Sequence, residues 1–193
     1  MERPKLTLPK EAETLLRAEY ARASVILEFG SGGSTVLAGE MVGKQVFTVE
    51  SDHAWLKKMQ RWFDANPPMS SVTLHHGNIG PTTDWGRPVD QAHWRKFLNY
   101  PLTIWDRPDF QHPDVVLVDG RFRVGCFLAT LMRITRPVVV LFDDYVGRKA
   151  YHIVEEFFAP TGFAGRMARF NVAPRMPGPQ EFGRWAGLMQ RPL

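Results

Sequence analysis

Glu28, Gly30, Gly32, Gly33 and Glu50 are residues whose types and spacing could do chemistry together. The glycines fall in Val25-Ile-Leu-Glu-Phe-Gly-Ser-Gly-Gly-Ser-Thr35, where a short apolar run meets a stretch with almost no side-chain bulk. A chain of this kind turns sharply and lets a ligand touch bare backbone. Glu50 closes the next apolar run, Val46-Phe-Thr-Val-Glu50, 20 residues after Gly30. In a strand–helix–strand unit that spacing sets a carboxylate at the neighbouring strand end, within reach of a ribose lying over the glycines. Glu28 stands two residues before the first glycine, where it would sit badly beside a pyrophosphate but would suit an ammonium or a sulfonium. A dinucleotide pattern, G-x-G-x-x-G, would also require glycine where Thr35 stands.

A second group of acids follows two further apolar runs. Val115 to Val118 ends in Asp119, and Val138 to Phe142 ends in Asp143 and Asp144. Ligands of open parallel sheets bind at the carboxyl ends of the strands, so all three carboxylates are candidates for a site. Asp119 is placed to act as a base toward a nucleophile that must lose a proton. Its alternative roles are a salt bridge to Arg121 or Arg123, or a helix N-cap. Those two arginines, with Arg148, could orient an acidic substrate through bidentate hydrogen bonds. His75 and His76 are neighbours on an expected strand and therefore point to opposite faces, so they cannot serve one site together.

The run E-F-G-S-G-G-S-T resembles motif I of the class I S-adenosylmethionine-dependent methyltransferases, and Glu50 resembles their ribose-binding acid. The resemblance implies an α/β, Rossmann-like, doubly wound and mostly parallel seven-stranded sheet with a closing antiparallel hairpin. It implies S-adenosylmethionine as cofactor, held by Glu28, Gly30, Ser31, Gly32, Gly33, Ser34, Glu50, Ser51, Asn78, Ile79 and Asp119, with Asp119 also catalytic. Gly77-Asn78-Ile79 stands where the family often carries Gly-Asp-Ala; Asn78 departs from the acid yet can still accept a hydrogen bond. Asp119, Asp143 and Asp144 are also similar to the carboxylates with which catechol-type O-methyltransferases hold Mg²⁺. Here Asp144 replaces an Asn, and Arg121 and Arg123 lie beside Asp119, so no firm metal ligand is assigned. The implied activity is in-line methyl transfer to a small-molecule acceptor, possibly an anion. A cofactor-binding protein without transfer, a nicotinamide-dependent oxidoreductase and an RNA methyltransferase are the competing readings.

The elements that must position these residues follow from periodicity. The chain of 193 residues is expected to form one domain, 1–193, with an N-terminal segment 1–22 whose helix covers 7–22 with Pro9 in its first turn. Ser34 suits the N-cap of a helix over 35–41, and Ser51 or Asp52 that of a helix over 53–64. Trp55, Met59, Trp62 and Phe63 there recur at helical spacing, as a buried stripe does. A third strand covers 72–74. Residues 80–113, rich in Trp and Pro, form a lid or substrate-recognition insertion with a short helix over 90–99. Helices are expected over 121–134 and 147–158, and the closing hairpin over 163–172 and 181–189. Cys126 is the only cysteine, the longest apolar runs are too short for a membrane span, and residues 1–13 lack a signal-peptide core, so the cytoplasm is the expected location. The net charge of +4 resides after residue 160, where five arginines face Glu181 alone. No aromatic RNA-binding motif accompanies them, so nucleic acid is not expected as partner.

Overall fold

A computed structural model describes residues 2–192. Helix α1 (Lys10–Arg22) leads into β1 (Val25–Phe29), α2 (Gly33–Glu40), β2 (Gln45–Glu50), α3 (His53–Ala65) and β3 (Ser71–His76). After short helical turns come α4 (Asn99–Leu102), β4 (Val115–Val118), α5 (Arg123–Arg133) and β5 (Val138–Phe142). The chain closes with β6 (Gly162–Ala164), β7 (Met167–Val172) and α6 (Phe182–Met189). The strands form one sheet in the order β3-β2-β1-β4-β5-β7-β6. All neighbours are parallel except β5 with β7 and β7 with β6, so the sheet is Rossmann-like and ends in the expected antiparallel hairpin.

The central strands are apolar on both faces because both faces are covered. Successive residues alternate between them. Leu27, Phe29, Val116 and Val118 join the core beneath α5 and α6, whereas Ile26, Val115 and Leu117 join the core beneath α1 and α2. Glu28 therefore faces α1, where Tyr20 lies, and not the cavity at the strand ends. The helix stripe that supports it is Ala12, Leu16 and Tyr20, all fully buried at intervals of four residues.

Several elements differ from expectation. Helix α1 starts at Lys10, with Pro9 at its N-cap, and residues 2–9 run outside any element. Helix α2 starts two residues early, and Thr35 Oγ1 accepts the Gly32 N–H at 3.0 Å, so Ser34 lies inside the first turn and does not cap it. Asp52, not Ser51, caps α3, accepting from the N–H groups of Ala54 and Trp55. The helix expected over 90–99 gives way to a turn at Trp94–Lys96, followed by α4 and a 3₁₀ turn at Thr103–Asp106. Residues 149–156 form 3₁₀ and not α-helix. The hairpin lies wholly within 162–172, turned by Gly165 in the left-handed region and Arg166. Residues 182–189, read as its second strand, are α6 instead: the buried Trp185, Leu188 and Met189 are spaced by three and four, a helical interval.

Helix α6 docks on α5 at a glycine. A Cβ on Gly125 would lie 2.6 Å from the Met189 carbonyl oxygen. Gly125→Ala is expected to push α6 outward and to destabilise the protein by about 1–3 kcal/mol in urea unfolding.

Candidate active site

At the carboxyl ends of β1, β2 and β4 lies a cavity of about 850 Å³. Three turns meet there. Gly30 has φ +109°, and a Cβ on it would lie 2.8 Å from the Gly120 nitrogen. A Cβ on Gly120 would in turn meet the Tyr100 hydroxyl at 2.0 Å. The turn after β1 and the turn after β4 thus touch backbone to backbone, under a buried tyrosine. A Cβ on Gly33 would come 2.2 Å from the Leu6 nitrogen, so this glycine admits the N-terminal segment, residues 2–8 of which form one wall of the cavity. A Cβ on Gly32 would meet nothing within 4 Å, which leaves the turn open toward a ligand.

Glu50 closes the opposite side. Its Oε1 accepts from the backbone N–H groups of Ser51 (2.7 Å) and Asp52 (2.9 Å), and its Oε2 accepts from the Ser31 N–H and hydroxyl at 3.3 and 3.1 Å. Burial raises its pKa, and these donors work against that shift by stabilising the charge. Its carboxylate lines the cavity beside Gly30, Ser31 and Gly32. Trp55, half-buried and packed against the Val36, Met59 and Phe63 cluster as expected of the stripe, also donates its indole N–H to the Ser31 carbonyl at 2.8 Å and lines the cavity. The Ser51 hydroxyl donates to the Gly86 carbonyl at 2.8 Å, drawing Trp85, Gly86 and Arg87 of the 80–113 segment over the rim.

The residues singled out from sequence divide clearly. Gly30, Ser31, Gly32, Gly33, Ser34, Glu50, Ser51 and Asp119 all line the cavity. Glu28 does not; it is fully buried, accepts from the Tyr20 hydroxyl and from Thr35 Oγ1, and ties α1 to α2. Burial raises its pKa. Asn78 and Ile79 do not line it either: Asn78 Oδ1 accepts the Gly80 N–H within its own turn, and Ile79 is core. His75 reaches Thr103 and His76 reaches the Ser51 carbonyl, on opposite faces as alternation requires. Tyr100, Trp55 and residues 2–8 carried no site signal in the sequence, because aromatics at helical spacing and a terminal stretch look the same wherever they pack.

Asp119, Asp143 and Asp144 converge, but with arginines between them. Arg166 forks onto Asp143 at 2.7–3.1 Å and reaches Asp144 at 3.1 Å. The buried Arg123 donates to Asp119 Oδ1 at 3.3 Å and Asp144 Oδ2 at 3.1 Å, and Arg148 also binds Asp144. Guanidinium groups occupy the oxygens a divalent ion would need. Among the described residues no group of three or more His, Cys, Asp or Glu side chains is arranged to hold a metal. Burial raises the Asp119 pKa to about 7; Arg123 opposes the shift, and Asp143 and Asp144 reinforce it.

Comparison with solved structures fixes the family. A methyltransferase-like protein from Silicibacter pomeroyi DSS-3 is 52% identical, with a TM-score of 0.94 over 98% of this chain and 99% of that one. The chain belongs to the class I S-adenosylmethionine-dependent methyltransferase superfamily. A methyltransferase from Geobacter sulfurreducens (TM-score 0.57, 11% identity, 88% of this chain and 82% of that) shares the fold. So does the O-methyltransferase TomG from Streptomyces achromogenes, involved in tomaymycin synthesis and solved with SAM (TM-score 0.54, 18% identity, 90% and 82%). No protein-family model matches the chain, and a search of curated proteins finds no match. No helix among the described residues is long and apolar enough to cross a membrane.

Within this methyltransferase fold, a second cavity of about 370 Å³ lies between α2 and the end of α3. Its charged residues, Arg3 and Glu40, pair with each other at 2.7 Å, so nothing there is free for chemistry. Arg3 and its neighbours also form the wall of the larger cavity, and Gly33 decides how closely they approach. Gly33→Ala is expected to displace residues 5 and 6, which limited trypsin digestion would register as faster cleavage after Lys5.

Proposed function

We propose that the chain is a single-domain S-adenosylmethionine-dependent methyltransferase acting on a small molecule, with transfer at the carboxyl edge of the sheet. The observation that carries this reading is the Glu50 carboxylate, held by three backbone N–H groups beside the open Gly32 turn. A cavity of about 850 Å³ falls within the range of about 300–1,000 Å³ of small-ligand sites. Glu50 and Ser51 would hold the ribose, and Gly30 to Ser34 the amino-acid portion. The segment 80–113 acts as the substrate-side lid, which accords with the placement of Trp85 and Arg87 on the rim.

When bound, the cofactor supplies a methyl group already activated on sulfur. What the chain must add is alignment and exclusion of water. Tyr100 and the Gly30–Gly120 contact fix the floor against which an acceptor lies. Asp119 takes the proton of an acceptor hydroxyl or amine, a role that its pKa of about 7 suits near neutral pH. Arg123 holds this carboxylate in place from the protein side.

Glu50→Gln keeps the shape but removes an acceptor pair, and should weaken S-adenosylhomocysteine binding by about 1–3 kcal/mol in calorimetry. Unchanged affinity in a folded variant would refute the ribose assignment. The Asp119 prediction concerns pH. Its base form appears as pH rises through about 7, so kcat/KM should climb across that value, and Asp119→Asn should flatten the profile and lower the rate about 10²–10⁴-fold. The folded-state pKa exceeds the unfolded value, so this group contributes stability fully below about pH 4 and loses it as pH rises through about 7.

A further inference from the structure

Among the described residues, Arg121 is the one guanidinium at the floor of the cavity left without a partner. It is 9% exposed, yet none of its side-chain nitrogens donates a hydrogen bond or pairs with a carboxylate among the described residues. Its Nε is fully buried and unsatisfied, while the side chain still lines the cavity. The contrast with its neighbours is sharp. Arg123, Arg148 and Arg166 are all consumed by Asp119, Asp143 and Asp144. Arg87, on the rim, also lines the cavity and likewise forms no ion pair among the described residues.

Burying an unpaired charge is expensive, and a native fold that keeps one does so where a ligand completes it. The backbone holds Arg121 in that position by unusual means. It lies between Gly120, pressed on Gly30, and Phe122, which is fully buried in the left-handed region at φ 52°. Its own N–H donates only to the Tyr100 hydroxyl oxygen, at 3.4 Å. Left-handed backbone at a bulky residue costs energy and is retained where the surrounding structure demands it.

We propose that Arg121 is the seat for an oxyanion of the methyl acceptor, a carboxylate or phosphate bound through the guanidinium fork, with Arg87 closing over it from the rim. This inference rests on the methyltransferase reading above and specifies the acceptor class for the same site. The group is recessed beneath the turns, so a small acid can reach it whereas an extended polynucleotide backbone would meet the exposed rim first. Bidentate geometry fixes direction as well as charge, which is what alignment with Asp119 requires.

The test uses the full chain saturated with S-adenosylhomocysteine, with ligand-observed NMR of benzoate, phenyl phosphate and the neutral benzamide. Benzoate or phenyl phosphate should bind at least tenfold more tightly than benzamide, and the stronger of the two identifies the anion class. Arg121→Met should abolish that preference, leave S-adenosylhomocysteine affinity within about twofold, and raise the Tm of the ligand-free protein by about 2–8 °C, because an unpaired charge has been removed. Arg121→Lys should retain the preference in weakened form. Equal binding of benzoate and benzamide to the wild type overturns the proposal. So does a loss of S-adenosylhomocysteine affinity in Arg121→Met with 5′-methylthioadenosine affinity intact, since Arg121 would then hold the cofactor's own carboxylate. A lowered Tm overturns it as well, by making Arg121 a structural residue. If the wild type binds no S-adenosylhomocysteine, the cofactor reading fails, and the preference of the ligand-free protein for the anions still decides the role of Arg121.

Discussion

The contact of Gly30 with Gly120 is the constraint from which the site follows. Parallel strands β1 and β4 are hydrogen-bonded neighbours, so the turns leaving them must share one small volume above the sheet. Side chains at either position would collide with backbone or with the Tyr100 hydroxyl. With both glycines in place, the Gly30–Ser34 turn, Asp119 and Arg121 come to face one cavity. The positive φ of Gly30 and the left-handed Phe122 are the local strains that accompany this closeness.

Charge is arranged in two tiers around that contact. The lower tier pairs three acids with three arginines: Asp143 is fully buried and answered by Arg166, Asp119 and Asp144 are bridged by Arg123, and Arg148 also binds Asp144. Buried ion pairs of this kind contribute little net stability, but breaking one leaves a costly lone charge, so they hold geometry firmly. Above it, Glu50 and Arg121 line the same cavity as Asp119 and take no part in that cluster. Glu50 is satisfied by backbone donors, and Arg121 finds no side-chain partner among the described residues. A ligand with hydroxyl donors at one end and an anion at the other would complement both.

The sheet and its glycine turn were legible in the sequence because both rest on local rules. Doubly buried strands read as unbroken apolar runs, and a carboxylate 20 residues beyond Gly30 has few reasons to be there except at the next strand end. Long-range packing was not legible. Glu28 looked like a ligand residue because its spacing is right, but strand alternation turns it to the face that α1 covers. Trp55 does pack on the core, but helical spacing cannot show that its indole N–H also reaches the rim of a cavity. The expected topology asks for a strand over 181–189, whereas the spacing of Trp185, Leu188 and Met189 favours the helix that forms there.

Arg166 lies in the turn between β6 and β7, and it is the partner of Asp143, a carboxylate with no exposed surface. Arg169 of β7 similarly reaches back 150 residues to Glu19 on α1. Both acids belong to segments that leave the ribosome before the residues that neutralise them. A nascent chain halted before the hairpin emerges therefore carries Asp143 without its partner. The pocket takes its final electrostatic form only once the last strand pairs with β5 and brings Arg166 to Asp143.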